Sequence, residues 1–222
     1  MQIVSVNVAQ PVTIDFDGRQ SKTGIYKKPV DGKVQVTRLG VAGDTVVDEK
    51  VHGGFDQAVY LYHSEDYDWW SEQLGKTLAP GTFGENLTVT GLADRSLVIG
   101  DRLRINDIEL EITAPRTPCF KLARRMDDPT FPKAFARAAR PGAYARVLQE
   151  GCLQSGDEIH LEPTTGDFAS VREVFVEWHK KDRSPEVLKK ALGSPIGRVH
   201  KRKIQGWYDQ MQQEAQGGLF EP

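Results

Sequence analysis

Cys119 sits in the run Pro115-Arg116-Thr117-Pro118-Cys119-Phe120-Lys121-Leu122, and Arg124 and Arg125 follow closely. Four cations near one sulfur favour the thiolate, the form that acts as nucleophile or metal ligand. A helix starting near Phe120 would add its positive end to that field. The opposing reading is a small apolar residue in the interior, because free cysteine is among the most buried residue types. Sequence context alone leaves the two evenly matched. Cys152 has no comparable basic neighbours and reads as core.

Two glycine loops offer further polar groups. In Val51-His52-Gly53-Gly54-Phe55-Asp56 the adjacent glycines expose backbone amides to an anion, and His52 offers an acceptor or a proton. A simple turn is the stronger reading for that loop by itself. Gly81-Thr82-Phe83-Gly84-Glu85-Asn86-Leu87 ends in a carboxylate and an amide before a strand, so Asn86 either orients a substrate or closes a turn. Cys119 with His52 forms a candidate hydrolase pair, whose geometry a sequence does not show. His63-Ser64-Glu65 with Pro118-Cys119 is similar to a zinc-deaminase pattern, but Leu122 stands where the second cysteine should be, and Glu65 suits a helix first turn. With Cys119 and Cys152 as its cysteines, the chain cannot build a disulfide framework, a four-cysteine metal site or a Cys-x-x-Cys-His haem attachment. Redox chemistry here would draw its electrons from elsewhere.

The elements that position these residues are mostly short strands. Val4, Val6 and Val8 alternate, as do Val34 and Val36, and Ala58 to Tyr62 is a compact β-prone run. Leu103 and Ile105, then Asn106-Asp107, then Ile108, Leu110 and Ile112 predict a hairpin with a two-residue turn. Gly100-Asp101 and Gly156-Asp157 are two alike turns, the second preceding a strand from Glu158 to Leu161. Helices are expected from a Ser64 cap through Leu74, with Gly75 closing it, and over Pro132 to Arg140. Strands on both sides of these insertions suit a bent sheet or barrel better than a regular βαβ series.

Pro163-Thr164-Thr165-Gly166 looks like a hinge, and beyond it the period becomes helical. Val171, Val174, Phe175 and Trp178 share a helix face, as do Ile204, Trp207, Tyr208 and Met211. Ser184-Pro185 and Ser194-Pro195 are paired cap and first-turn signals, with Gly193 ending the middle helix. The expected organisation is a β domain over 1–163 and three helices over 168–215.

The 222 residues are 39% hydrophobic and 27% charged with a formal charge of -2, an ordinary composition that implies no broad polyanion binding, so no nucleic-acid partner is expected. Met1 to Val8 lacks the pattern of a signal peptide, and no apolar run approaches the ~20 residues of a membrane helix. A cytoplasmic location with no membrane association is the expectation.

GVAGD at 40–44, the run from Val51 to Tyr62, GENL at 84–87 and PRTPCFKL at 115–122 together resemble the MOSC domain. More narrowly the chain is similar to the YiiM-type proteins, through Lys27-Lys28-Pro29-Val30 near the start and a tail helix ending in Glu177-Trp178-His179-Lys180. The resemblance implies a mainly β fold with inserted helices, a MOSC β-barrel followed by a small three-helix domain. It implies a molybdenum cofactor of the molybdopterin type, with Cys119 as metal ligand, and reduction of N-hydroxylated compounds, including hydroxylaminopurine-type base analogues, to amines. It places His52, Asn86 and Arg116 around the cofactor, and makes Lys28, Arg38 and the Gly53 and Gly54 amides candidates for its phosphate end. His52 is then expected to move protons and Asn86 to orient the substrate. Family members commonly carry a basic residue where this chain has Gln57. The expected partners are a small N-hydroxylated substrate and a separate electron-donor reductase; a homodimer is compatible. The alternative is a sulfur or cofactor carrier that uses Cys119.

Overall fold

The computed structural model describes residues 1–16, 19–45, 54–91 and 97–217. Its strands are β1 (Gln2–Val8), β2 (Val12–Phe16), β3 (Arg19–Thr23), β4 (Lys28–Val30), β5 (Val34–Thr37), β6 (Gly40–Val41), β7 (Val59–His63), β8 (Leu87–Thr90), β9 (Arg102–Ile105), β10 (Ile108–Pro115), β11 (Ala143–Gln149), β12 (Gly151–Leu153) and β13 (His160–Glu162). Helices are α1 (Ser64–Leu74), α2 (Phe120–Met126), α3 (Phe131–Ala138), α4 (Val171–His179), α5 (Pro185–Gly193) and α6 (Arg198–Gly217), and a 3-10 turn covers Phe55–Gln57.

Eight strands form one curled sheet in the order β13-β9-β10-β11-β7-β8-β1-β4, flanked by a three-stranded and a two-stranded sheet. The pairing of β7 with β8 is parallel and the others in the large sheet are antiparallel. This is the mainly β fold with inserted helices that the sequence predicts, its sheet mixed and curled into a half-barrel. Alternation explains its inner face: Leu103, Ile105, Leu110 and Ile112 are fully buried, each stabilising the fold by roughly 1.5–3 kcal/mol. The hairpin between β9 and β10 pairs Ile105 with Ile108, and Asn106 adopts the positive φ of 52° that its two-residue turn demands.

The glycine-aspartate turns are alike in detail, since Asp101 accepts from the Val98 N–H and Asp157 from the Gln154 N–H, both at 2.8 Å. Gly142 has φ 63° and lies so close to β7 that a Cβ there would stand 2.3 Å from the Leu61 carbonyl oxygen. That approach seats β11 beside β7.

An aromatic cluster fills the space between the sheet, α1 and α3. Tyr62 and Phe83 stack at 4.4 Å, and the Trp70 indole donates to the Tyr62 hydroxyl at 2.9 Å. The three C-terminal helices pack on the sheet within one apolar core that includes Val171, Val174, Leu188 and Ile204. Their connection is tied down rather than free. Thr164 N–H donates to Asp101, Ile99 N–H to the Ala169 carbonyl and Val171 N–H to the Leu97 carbonyl.

Local details differ from the sequence reading. His63, not Ser64, caps α1, and the Ser64 hydroxyl pairs with Glu65. α6 starts at Arg198 rather than at Ser194-Pro195, because Ser194 closes α5 instead, its hydroxyl donating to the Ala191 carbonyl. Cys152 is exposed rather than core; alternation in β12 turns Leu153 inward and the cysteine out.

Candidate functional site

Cys119 caps α2 where β10 ends, half-buried in the wall of a cleft that encloses about 650 Å³, part of it open to solvent. Thus the sulfur borders a cavity instead of being sealed in the apolar interior. The helix behind it has seven residues, under two turns, so the charge at the site comes mainly from side chains.

Arg116 is the strongest of these. Its side chain is 5% exposed, and its guanidinium stands 5.9 Å from the Tyr60 ring centroid and 5.5 Å from that of Phe135. Burial by itself would lower its pKa, and the ionised form of Cys119 in the same wall opposes that effect. Opposite charges stabilise each other's ionised forms, so the same interaction favours the Cys119 thiolate. Arg116 Nη1 is buried without a hydrogen-bond partner from the protein. Tyr144 in the same wall is pushed up to about 12, chiefly by burial. Tyr60 is raised as well, again through burial, so both remain neutral phenols.

Another part of the lining is a buried ion pair. Lys27 Nζ pairs with Asp44; Asp44 also accepts from the Ala9 N–H at 2.9 Å and from Asn86 Nδ2 at 2.8 Å. Burial lowers the Lys27 pKa, and the Asp44 carboxylate opposes that effect. Gly81 lets the loop close on this lysine, since a Cβ there would stand 2.6 Å from the Lys27 carbonyl oxygen. Glu85 beneath the loop is fully buried: one oxygen accepts from the Tyr67 hydroxyl, the Gly81 N–H and the Thr88 hydroxyl. Its other oxygen has no partner, and burial raises its pKa.

Of the residues predicted for the site, the structure brings Cys119, Arg116 and Asn86 together around the cleft. The Asn86 amide is engaged within the protein, its oxygen accepting from the Tyr60 N–H at 3.1 Å and its nitrogen donating to Asp44. It therefore holds the wall rather than reaching for a substrate. Lys28 is exposed on β4, and Arg38 is exposed between β5 and β6, where its N–H donates to Glu150. Neither lines the cleft, whereas Lys27 does. Gly54, at φ 80°, precedes the 3-10 turn that carries Gln57 into the cleft wall. His52 and Gly53 lie outside the described residues.

Lys27, Lys121, Tyr60, Phe83 and Tyr144 line the site without having been assigned to it. A signal existed for one of them: Thr23, Ile25 and Lys27 are buried at a period of two, and the first two mark the inward side. Glu65, set aside above as a zinc-site acid, accepts from the Gly91 N–H and the Thr90 hydroxyl. Among the described residues no group of three or more His, Cys, Asp or Glu is placed to hold a metal.

A β-rich half-barrel with a cysteine at the end of a central strand, beside a cationic cleft, defines a class. The chain belongs to the MOSC domain family, which matches residues 48–160. Within that family it is of the YiiM type, being 30% identical to Protein YiiM of Escherichia coli (strain K12) over 161 residues, 71% of each chain. It also matches the crystal structure of YiiM from Geobacillus stearothermophilus with a TM-score of 0.78 at 30% identity, covering 93% of this chain and 98% of that one. A protein of Gibberella moniliformis named Reductase is 37% identical over 148 residues, 65% of this chain but 26% of that longer protein. Among the described residues no helix is long and apolar enough to cross a membrane.

Proposed function

We propose that the chain is an oxidoreductase whose cleft takes a molybdenum cofactor, with the Cys119 thiolate as the protein's ligand to the metal, and that it reduces N-hydroxylated compounds such as hydroxylaminopurine-type base analogues to amines. The observation that carries this reading is the half-buried Cys119 beside a buried Arg116 with an unpartnered Nη1, both in the wall of one cleft. Kinship with YiiM and with a protein named Reductase supports oxidoreductase chemistry.

The residues present fit the group. A soft thiolate suits a thiophilic metal, and Lys27, Lys121 and Arg116 give the cleft the cations that a phosphate-bearing ligand needs. When bound, the cofactor supplies the two-electron chemistry. Arg116 favours the ionised form of Cys119, while the neutral Tyr60 and Tyr144 add no competing charge. Lys27 holds a proton at Nζ against Asp44, and His52, outside the described residues, is the second candidate for moving protons. Conversion of a hydroxylamine to an amine consumes two electrons and two protons and releases water. The sequence carries no flavin, haem or iron-sulfur motif, so a separate reductase partner delivers the electrons.

Cys119→Ala tests the assignment. Molybdenum content and reduction of 6-hydroxylaminopurine with a chemical electron donor should both fall at least tenfold. Undiminished turnover with molybdenum still bound would refute the ligand role.

A further inference from the structure

Outside the cleft, the exposed face of α2 carries an apolar ring among cations. Phe120, the residue after the cysteine, is 38% exposed. One exposed ring means little by itself, but Lys121 Nζ lies 6.0 Å from its centroid and Arg124 stands one helical turn further along the same side. Arg125, one turn beyond Lys121, lies 5.2 Å over the Tyr26 ring and so ties the segment before β4 to this helix. In that segment Ile25 and Lys27 are buried, Tyr26 is half-buried and Lys28 is exposed. Lys28, which does not line the cleft, thereby extends the cationic face.

This grouping costs the helix stability. Lys121 is three positions from Arg124 and four from Arg125, spacings at which like charges repel, and α2 has no acidic residue in its first turn. Arg124 meets Asp127 at 3.5 Å, but both side chains are exposed and such a pair contributes little. The whole chain has a formal charge of -2, so the cations are gathered here rather than general. An acidic surface laid over them would offset the repulsion.

The need for an outside electron source says what that surface belongs to. No flavin, haem or iron-sulfur motif occurs in the sequence, and electrons for a metal at Cys119 must arrive close to that residue. We infer that the exposed face of α2 docks an acidic electron-carrier protein bearing a flavin or iron-sulfur group, with Phe120 as the apolar contact and Lys121, Arg124 and Lys28 facing its carboxylates. This deepens the proposed function and rests on it for the need of a donor. Two reduced carriers each give up one electron per hydroxylamine, solvent supplies two protons, and amine, water and two oxidised carriers leave. A nucleic acid fits less well, because it requires a longer basic track than a seven-residue helix supplies. Small redox interfaces held by charge are transient and salt-sensitive.

The test uses the full chain with two acidic probes, purified flavodoxin and purified [2Fe-2S] ferredoxin, and with basic cytochrome c and a single-stranded DNA oligonucleotide as controls. At least one acidic carrier should bind, and its affinity should fall roughly tenfold between about 0.01 M and about 0.15 M salt, as the Debye length shrinks from about 30 Å to about 8 Å. Arg124→Glu should weaken binding roughly tenfold at the lower salt, and Phe120→Ala should weaken it by a factor that salt does not change. In turnover, the carrier-driven rate of Arg124→Glu should fall roughly tenfold further than its dithionite-driven rate, because dithionite needs no docking. Should Arg124→Glu fail to fold, Arg124→Gln is read in the same way. Failure of both carriers to bind overturns the inference, as does unchanged affinity in the Arg124 variant, equal binding of cytochrome c, or tighter binding of the DNA. Cys119→Ala keeps the two readings apart: molybdenum lost with carrier binding intact leaves both standing, whereas molybdenum retained with undiminished turnover defeats the ligand role alone.

Discussion

Three positions separate Arg116 from Cys119, and the turn at the end of β10 brings them into electrostatic contact. Replacing Arg116 by leucine removes the cation that favours the thiolate. Alkylation of Cys119 by iodoacetamide in cofactor-free protein at pH 7 should then slow by roughly tenfold, and an unchanged rate would separate the two residues. Glu85 makes the opposite kind of prediction. Its folded pKa is raised by burial, so the folded state holds the proton more tightly than the unfolded chain does. The stability this provides is complete below the unfolded value of about 4.3 and is lost as pH rises through the folded value. Glu85→Gln keeps an acceptor for Tyr67, Gly81 and Thr88 and removes the charge. Thermal unfolding from pH 4 to pH 8 should show the variant gaining on the wild type as pH rises; a constant difference would remove Glu85 as the titrating group.

At the scale of the element, two devices have measurable cost. Ser170 and Glu173 form a reciprocal capping box at the start of α4, so Ser170→Ala should destabilise the protein by about 1 kcal/mol and lower its melting temperature by roughly 2–4 °C. In the β9–β10 turn, Asn106 at φ 52° tolerates glycine, while Asn106→Val should cost about 1–2 kcal/mol through left-handed strain. That turn was legible because period and turn residues are neighbours in the chain. The start of α6 was not. Ser194-Pro195 has the right types for a helix entry, but its serine hydroxyl is drawn back to the preceding helix. Cys152 misled for a similar reason: its residue type favours burial, while pairing with β5 decides which face of β12 turns inward.

Across the whole molecule, the C-terminal helices and the curled sheet share one apolar core. A chain ending at residue 166 would expose the surface that Val171, Val174 and Ile204 cover. It should aggregate or bind a hydrophobic dye, as a soluble, cooperatively melting fragment would disprove. The 3-10 turn under Gln57 also depends on this packing, because Arg198 at the start of α6 holds Asp56. The helical segment therefore supports the cleft, a role that its own periodicity does not disclose.

From residue types and spacing alone came several of the strands, the hairpin, the three-helix tail and the motif around Cys119, each a matter of neighbours within a few positions. Tertiary structure decided which lysine enters the cleft, why Asn86 braces its wall, and that Gln57 and Arg116 both line it. The physical reason is range: Asp44 meets Asn86 across 42 positions and Ala9 across 35. Such partners are chosen by the curl of the sheet rather than by the local chain.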